Sequence, residues 1–261
     1  MTFAKLLLAC SLAAIQLFAA PAQAQSAAVT ATLSANEAAS RLRVVPQRLS
    51  KLYLQTRLNI DRELSTVRIE DGIKQFDGLL AVVQRSQPGG KAQATLLTIE
   101  QKWAKMRVDL TELPNDAVAQ RLSADAEQLA AAAQLLTTQL DADPSPIARL
   151  ADMALRNDML AQRMARLYMQ VKAGAGGNQS ADIEKIRKEF AEALTALSEA
   201  PQTSNTIRSN IDLARLQWGF FEAAVGTKGW DEANVRNVAT TSERISQVLS
   251  DIAISYRKMR A

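Results

Sequence analysis

The chain has 261 residues, with 31 Lys and Arg against 27 Asp and Glu, one cysteine and no histidine. The missing histidine removes the usual metal ligand, general base and near-neutral switch, which excludes Ser-His-Asp chemistry and hydrolytic zinc of the common kind. Charges of both signs nearly balance, and no basic cluster interleaved with aromatics appears, so nucleic acid is not an expected partner.

Residues 1–24 read as a secretory signal: Lys5 precedes an apolar run from Leu6 to Ala20, followed by Pro21-Ala-Gln-Ala24 with small residues where a signal peptidase cuts. Leu7-Leu-Ala-Cys10 offers a rival lipoprotein box, but cleavage there would leave most of the apolar stretch on the product. The mature chain is therefore expected to begin near Gln25, to lack cysteine and disulfides, and to be exported, with the periplasm as its compartment. No later run approaches the roughly 20 apolar residues that span a bilayer, so no transmembrane segment is expected in the mature chain.

Abundant Ala, Leu, Gln, Glu and Arg, few aromatics and no alternating β-branched runs predict an all-α fold. Ser34, with Glu37 three residues on, has capping-box spacing, and a helix runs from there toward Arg57, kinked or restarted at Pro46. Further helices are predicted at about 65–85, 92–113 and 116–140, separated by Ser86-Gln-Pro-Gly-Gly90 and Leu113-Pro-Asn-Asp116. Asp141-Ala-Asp-Pro-Ser-Pro146 is too short for a free linker. A second set follows at about 147–172, 181–199, 205–225 and 231–259. These divide the mature chain into two four-helix units, 25–143 and 144–261, expected to pack together.

The two units share a sequence. Arg41-Leu-Arg-Val-Val-Pro-Gln-Arg-Leu-Ser-Lys-Leu-Tyr-Leu-Gln55 returns as Arg156-Asn-Asp-Met-Leu-Ala-Gln-Arg-Met-Ala-Arg-Leu-Tyr-Met-Gln170, offset by 115, with six of fifteen positions identical. Trp103 maps onto Trp218, Phe76 onto Phe190, and Glu127 onto Glu243 at offsets of 115, 114 and 116. A tandem duplication of one helical unit accounts for this, and it can build one site between its copies as a homodimer would. On a helical wheel Val45, Leu49 and Leu52 share a face flanked by Arg41 and Arg48, while Arg43 and Gln47 point elsewhere, toward a neighbour.

Ala39-Ser-Arg-Leu-Arg-Val-Val-Pro-Gln-Arg48 and Ala154-Leu-Arg-Asn-Asp-Met-Leu-Ala-Gln-Arg163 resemble the Ala-Gly-Arg-Gln-Arg-Met-Leu-Ser-Gln-Arg signature. That signature belongs to the N-terminal domain of type IV pili methyl-accepting chemotaxis transducers, and a variant of it occurs in periplasmic sensor domains of nitrate/nitrite-responsive histidine kinases. The resemblance implies four-helix bundles in which the middle arginine of the box, one from each protomer, clasps an anion at the dimer interface. That arginine matches Arg43 in the first copy but Asp158 in the second, and the family's glycine is Ser40 and Leu155. If the copies pack as the family dimer does, the resemblance implies an Arg43/Asp158 ion pair at the ligand position, either inert or suited to a zwitterion.

The candidate ligand-binding residues are therefore Arg43, Gln47, Asp158 and Gln162, with Arg41, Arg156, Arg48 and Arg163 around them. Tyr53, Tyr168, Trp103 and Trp218 lie among apolar residues at helical spacing and read as core anchors. Met153, Met159, Met164 and Met169 read as packing, and no cofactor or metal is expected. No phosphate loop or activated nucleophile supports an enzyme; Ala173-Gly-Ala-Gly-Gly177 follows a helix rather than a strand. The expectation is a sensor-like protein that binds a small anion, such as one of the nitrate/nitrite type, or a zwitterion, and reports to a membrane-bound signalling protein. The alternative is a scaffolding module with a degenerate site.

Overall fold

A computed structural model describes residues 33–140, 145–174, 179–226 and 231–259. The signal segment, most of the Asp141 to Pro146 junction and part of the Gly-rich break lie outside the described residues. Among the described residues the fold is all-α: α1 (Ala35–Leu42), α2 (Val44–Arg57), α3 (Arg62–Arg85), α4 (Gly90–Asp109), α5 (Asp116–Gln139), α6 (Pro146–Lys172), α7 (Ser180–Glu199), α8 (Asn205–Val225) and α9 (Glu232–Lys258).

Local chemistry sets the helix ends. The Ser34 side chain accepts the Glu37 N–H while Glu37 reaches back to the Ser34 N–H, completing the expected capping box. Asn115 caps α5 through the Val118 N–H at 2.9 Å. Ser145 caps α6 through the Ala148 N–H at 3.1 Å, with Pro146 at the first helical position, where its missing N–H is harmless.

The break in the first helix falls at Arg43 rather than at Pro46. Proline is tolerated in a first turn, where the N–H has no helical partner. The chain accordingly restarts at Val44, which puts Pro46 in that first turn. Arg43 keeps right-handed helical angles, φ −70° and ψ −32°, so the break is a kink and α1 and α2 remain roughly in line.

Each half repeats one packing plan. The motif helix, α1/α2 or α6, lies against the second and fourth helices of its own half, and the third packs on the fourth. The two motif helices then pack on each other, and a single continuous apolar core runs through both halves. Matching anchors recur: Phe76 stacks on Trp103 at 4.0 Å between centroids, and Phe190 on Trp218 at 3.7 Å. Tyr53 and Tyr168 are buried, the first donating to the Leu113 carbonyl at 2.9 Å, the second accepting from Asn234 at 2.8 Å. Gly72 lets α3 approach α2 closely, because a Cβ there would lie 2.6 Å from Leu49 Cδ2. Met164 and Met169 are fully buried, and Met153 and Met159 pack at the edge of the core.

Candidate functional site

Where α2 and α6 face each other, each motif helix sends its cations to the last helix of the other half. Arg48 donates from Nε and Nη2 to Glu243 of α9 at 3.1 and 2.7 Å, and Lys51 joins the same carboxylate and the Ser242 hydroxyl, the latter at 3.0 Å. Arg163 donates to Glu127 of α5 at 2.8 Å, and Arg166 joins it there. Residue and partner exchange roles across the interface, as in an isologous dimer contact. The amides instead bond within their own halves, again in matching fashion: Gln47 Nε2 donates to the Ala126 carbonyl of α5 and Gln162 Nε2 to the Ser242 carbonyl of α9, both at 3.2 Å.

The two clusters differ at one position. Arg166 has three donor directions and uses all of them, with Nε on Gln47 Oε1 at 2.8 Å, Nη1 on Gln170 Oε1 at 2.7 Å and Nη2 on Glu127. Its counterpart Lys51 has one nitrogen, already spent on Glu243 and Ser242. The equivalent amide oxygens, Gln162 Oε1 and Gln55 Oε1, are buried without a partner among the described residues. Lys51 is fully enclosed, and burial pulls its ammonium down to about 8 against the attraction of Glu243. Burial also disfavours the charged Glu243 carboxylate, but Lys51 and Arg48 together win and hold it far below the usual carboxylate range.

Arg43 and Asp158 do not pair. Arg43 is 1% exposed and bonds to Asp152 and Gln134, with Nε on the Ser40 carbonyl at 3.1 Å. The Ser40 hydroxyl donates to the same Asp152 at 2.6 Å. The long side chain reaches a carboxylate six residues before Asp158 on α6, so the expected central ion pair is replaced by a displaced one between the same halves. Ser40 and Asp152, which Arg43 bonds, also line a separate cavity of about 450 Å³ together with Ala148, Ala151 and Leu155.

Asp158 occupies the equivalent place on the other side. It lines a cavity of about 190 Å³ with Arg41, Arg48, Gln75, Glu243, Ser246 and Ser250, walled by Val44, Val45 and Leu155. Asp158 is 4% exposed, and its Oδ1 has no partner among the described residues. Burial raises its carboxyl to about 7; Glu243 pushes the same way, and the Ser246 hydroxyl, Arg41 and Arg48 only partly offset them. Among the described residues Arg41 donates to Ser250 Oγ at 3.3 Å, and its buried Nε has no partner there. Its counterpart Arg156 is instead exposed and paired with Glu189 at 3.2 Å.

Of the eight residues expected to bind ligand, the fold brings Arg41, Arg48 and Asp158 to one cavity. Arg43 is held by Gln134 and Asp152, Gln47 and Gln162 tie the motif helices to α5 and α9, Arg163 belongs to the Glu127 cluster, and Arg156 faces outward. Sequence reasoning did not pick Glu243, Ser246, Ser250 or Asp152 for the site. The recurrence of Glu127 as Glu243, beside the recurrence of a cation at Lys51 and Arg166, was the available signal for the first. Compared with protein-family models, with curated proteins and with solved structures, the chain has no match in any of the three.

Proposed function

We propose that this chain is an exported, sensor-like binding protein that takes a small anion at the interface of two duplicated helical units. The single observation that carries the reading is the cavity that brings Arg41, half-buried with its Nε enclosed and no ion pair among the described residues, beside Arg48 and Asp158, whose Oδ1 has no partner among them. A cation partly withdrawn from water without an ion pair is costly, and an anion is its natural complement. The signature shared by residues 39–48 and 154–163 supports an anion of the nitrate/nitrite type. Such a ligand bridges α1, α2, α6 and α9, so its occupancy would bias how the halves pack and could be read by a membrane-bound signalling partner.

The test is thermal unfolding of residues 25–261 with nitrate, nitrite, other small anions and amino acids, beside Arg41→Gln. Ligand at about a hundred times its Kd adds about 2.7 kcal/mol, a visible rise in Tm. The reading expects a rise that Arg41→Gln abolishes and Arg156→Gln preserves; no rise with any anion rejects it.

A scaffolding reading has its own observation. Leu213, Leu216 and Phe220 leave an exposed apolar stripe on α8, with Phe220 64% exposed. Loss of self-association or partner capture in Phe220→Ser, with no anion effect, would favour it.

A further inference from the structure

We infer that the anion enters this cavity together with a proton, and that Asp158 carries that proton. The inference rests on the anion-binding reading of the same cavity and specifies its chemistry.

Three observations converge. Glu243 is already saturated by Arg48 and Lys51, so the cation left to receive a ligand is Arg41, through its free Nε and the rest of its guanidinium. Asp158 lines the same cavity, its Oδ1 without a partner among the described residues, where its carboxyl accepts from Ser246 and forms no salt bridge with Arg41 or Arg48. The cavity, at about 190 Å³, holds roughly six water volumes, so nothing bound there can stand far from that carboxyl.

An anion beside an ionised, desolvated carboxylate would be repelled at short range, where water cannot screen the pair. A proton taken from solvent onto Oδ1 removes the repulsion and turns an acceptor into a donor. The acid O–H then donates to an oxygen of the ligand while the Arg41 N–H groups donate to the same anion. The site thus selects a compact monoanion with acceptor oxygens. A zwitterion would require the opposite, an ionised Asp158 to meet its ammonium.

The charges acting on Asp158 are Arg41 of α1, Arg48 of α2 and Glu243 of α9. Behind them stand Glu37 of α1 and Arg257 of α9 beside Arg41, Asp71 of α3 beside Arg48, and Lys51 of α2, itself near Arg68 of α3, beside Glu243; α3 also lines the cavity with the neutral Gln75. Lys51, which burial pulls down to about 8, also titrates close to this range, and the experiment must separate it from Asp158.

Nitrate is the probe because it stays a monoanion throughout the working range, so any pH dependence belongs to the protein. Titration calorimetry of residues 25–261 with sodium nitrate between pH 5.5 and 8.0 should show binding about tenfold weaker at the alkaline end. Repetition in buffers of different ionisation enthalpy should show uptake approaching one proton per nitrate at pH 8.0. Asp158→Asn should bind nitrate with no proton uptake and little pH dependence. Nitrate binding by the wild type without proton uptake overturns the inference and leaves the anion site standing, as does a pH slope that persists in Asp158→Asn and so belongs to Lys51. Glycine binding that tightens with pH, in place of nitrate, also overturns it. No nitrate binding at any pH by either protein overturns both the inference and the reading beneath it.

Discussion

The two sides of the α2/α6 interface carry the same plan with different completeness. Around Arg166 all three guanidinium nitrogens are matched, and Arg43 is held by Asp152, which itself borders a cavity of about 450 Å³. Around Lys51 two amide oxygens have no partner among the described residues, and Asp158 and Arg41 border a smaller cavity of about 190 Å³. Identical protomers would have to carry the same residues on both sides of their axis. Two linked halves are free of that constraint, so one side can specialise in holding the units together while the other keeps unpaired polar groups, which are costly in a core but useful to a ligand.

The largest test of this contrast removes the acid from each cluster. Glu243→Gln leaves the enclosed Lys51 ammonium and Arg48 without a counter-charge and should lower unfolding free energy by about 3 kcal/mol in urea titrations. Glu127→Gln should lower it by only about 1 kcal/mol, because Glu127 is 40% exposed and Arg166 keeps its bonds to Gln47 and Gln170. Equal losses would erase the distinction.

Next is Asp158→Asn, expected to gain about 2 kcal/mol at pH 8 through relief of a buried carboxylate. The sign follows from proton counting. Asp158 titrates near 3.8 in the unfolded chain and at about 7 when folded, so the folded state holds the extra proton between them. Stability therefore falls as pH rises from about 4 to about 7, and the variant's advantage should vanish below that window. Glu243 acts oppositely: its folded value is depressed, so its contribution is present above about 4.5 and lost as pH falls.

Lys51→Arg should gain about 1 kcal/mol by giving Gln162 Oε1 and Gln55 Oε1 the donors their counterparts receive from Arg166. It should also remove a rise in stability between about 8 and 10.5, where the unfolded chain holds a proton that folded Lys51 has released. The smallest expected effect lies away from the interface. Trp103 Nε1 donates to Asp77 at 2.7 Å, whereas buried Trp218 Nε1 has no partner among the described residues and Ala191 stands at the Asp77 position. Ala191→Asp should raise Tm modestly, by the equivalent of about 0.5 kcal/mol.

The all-α fold, the helix spans to within a few residues and the core roles of the paired tyrosines and tryptophans follow from apolar periodicity, capping residues and Gly/Pro breaks, which act within a turn or two of chain. The repeat at offset 115 likewise pointed to the motif helices as the meeting place of the halves. Which guanidinium meets which carboxylate did not follow. Arg43 was matched to Asp158 because they occupy equivalent positions, yet its flexible side chain reaches Asp152, and Arg48 and Lys51 cross to Glu243, about 190 residues on. Sequence by itself determined the helices and their apolar faces, because those depend on neighbours three and four positions away. Only the tertiary structure decided the ion pairs, the buried charges and the cavity, because long charged side chains choose partners by distance and desolvation across helices whose relative placement no local pattern encodes.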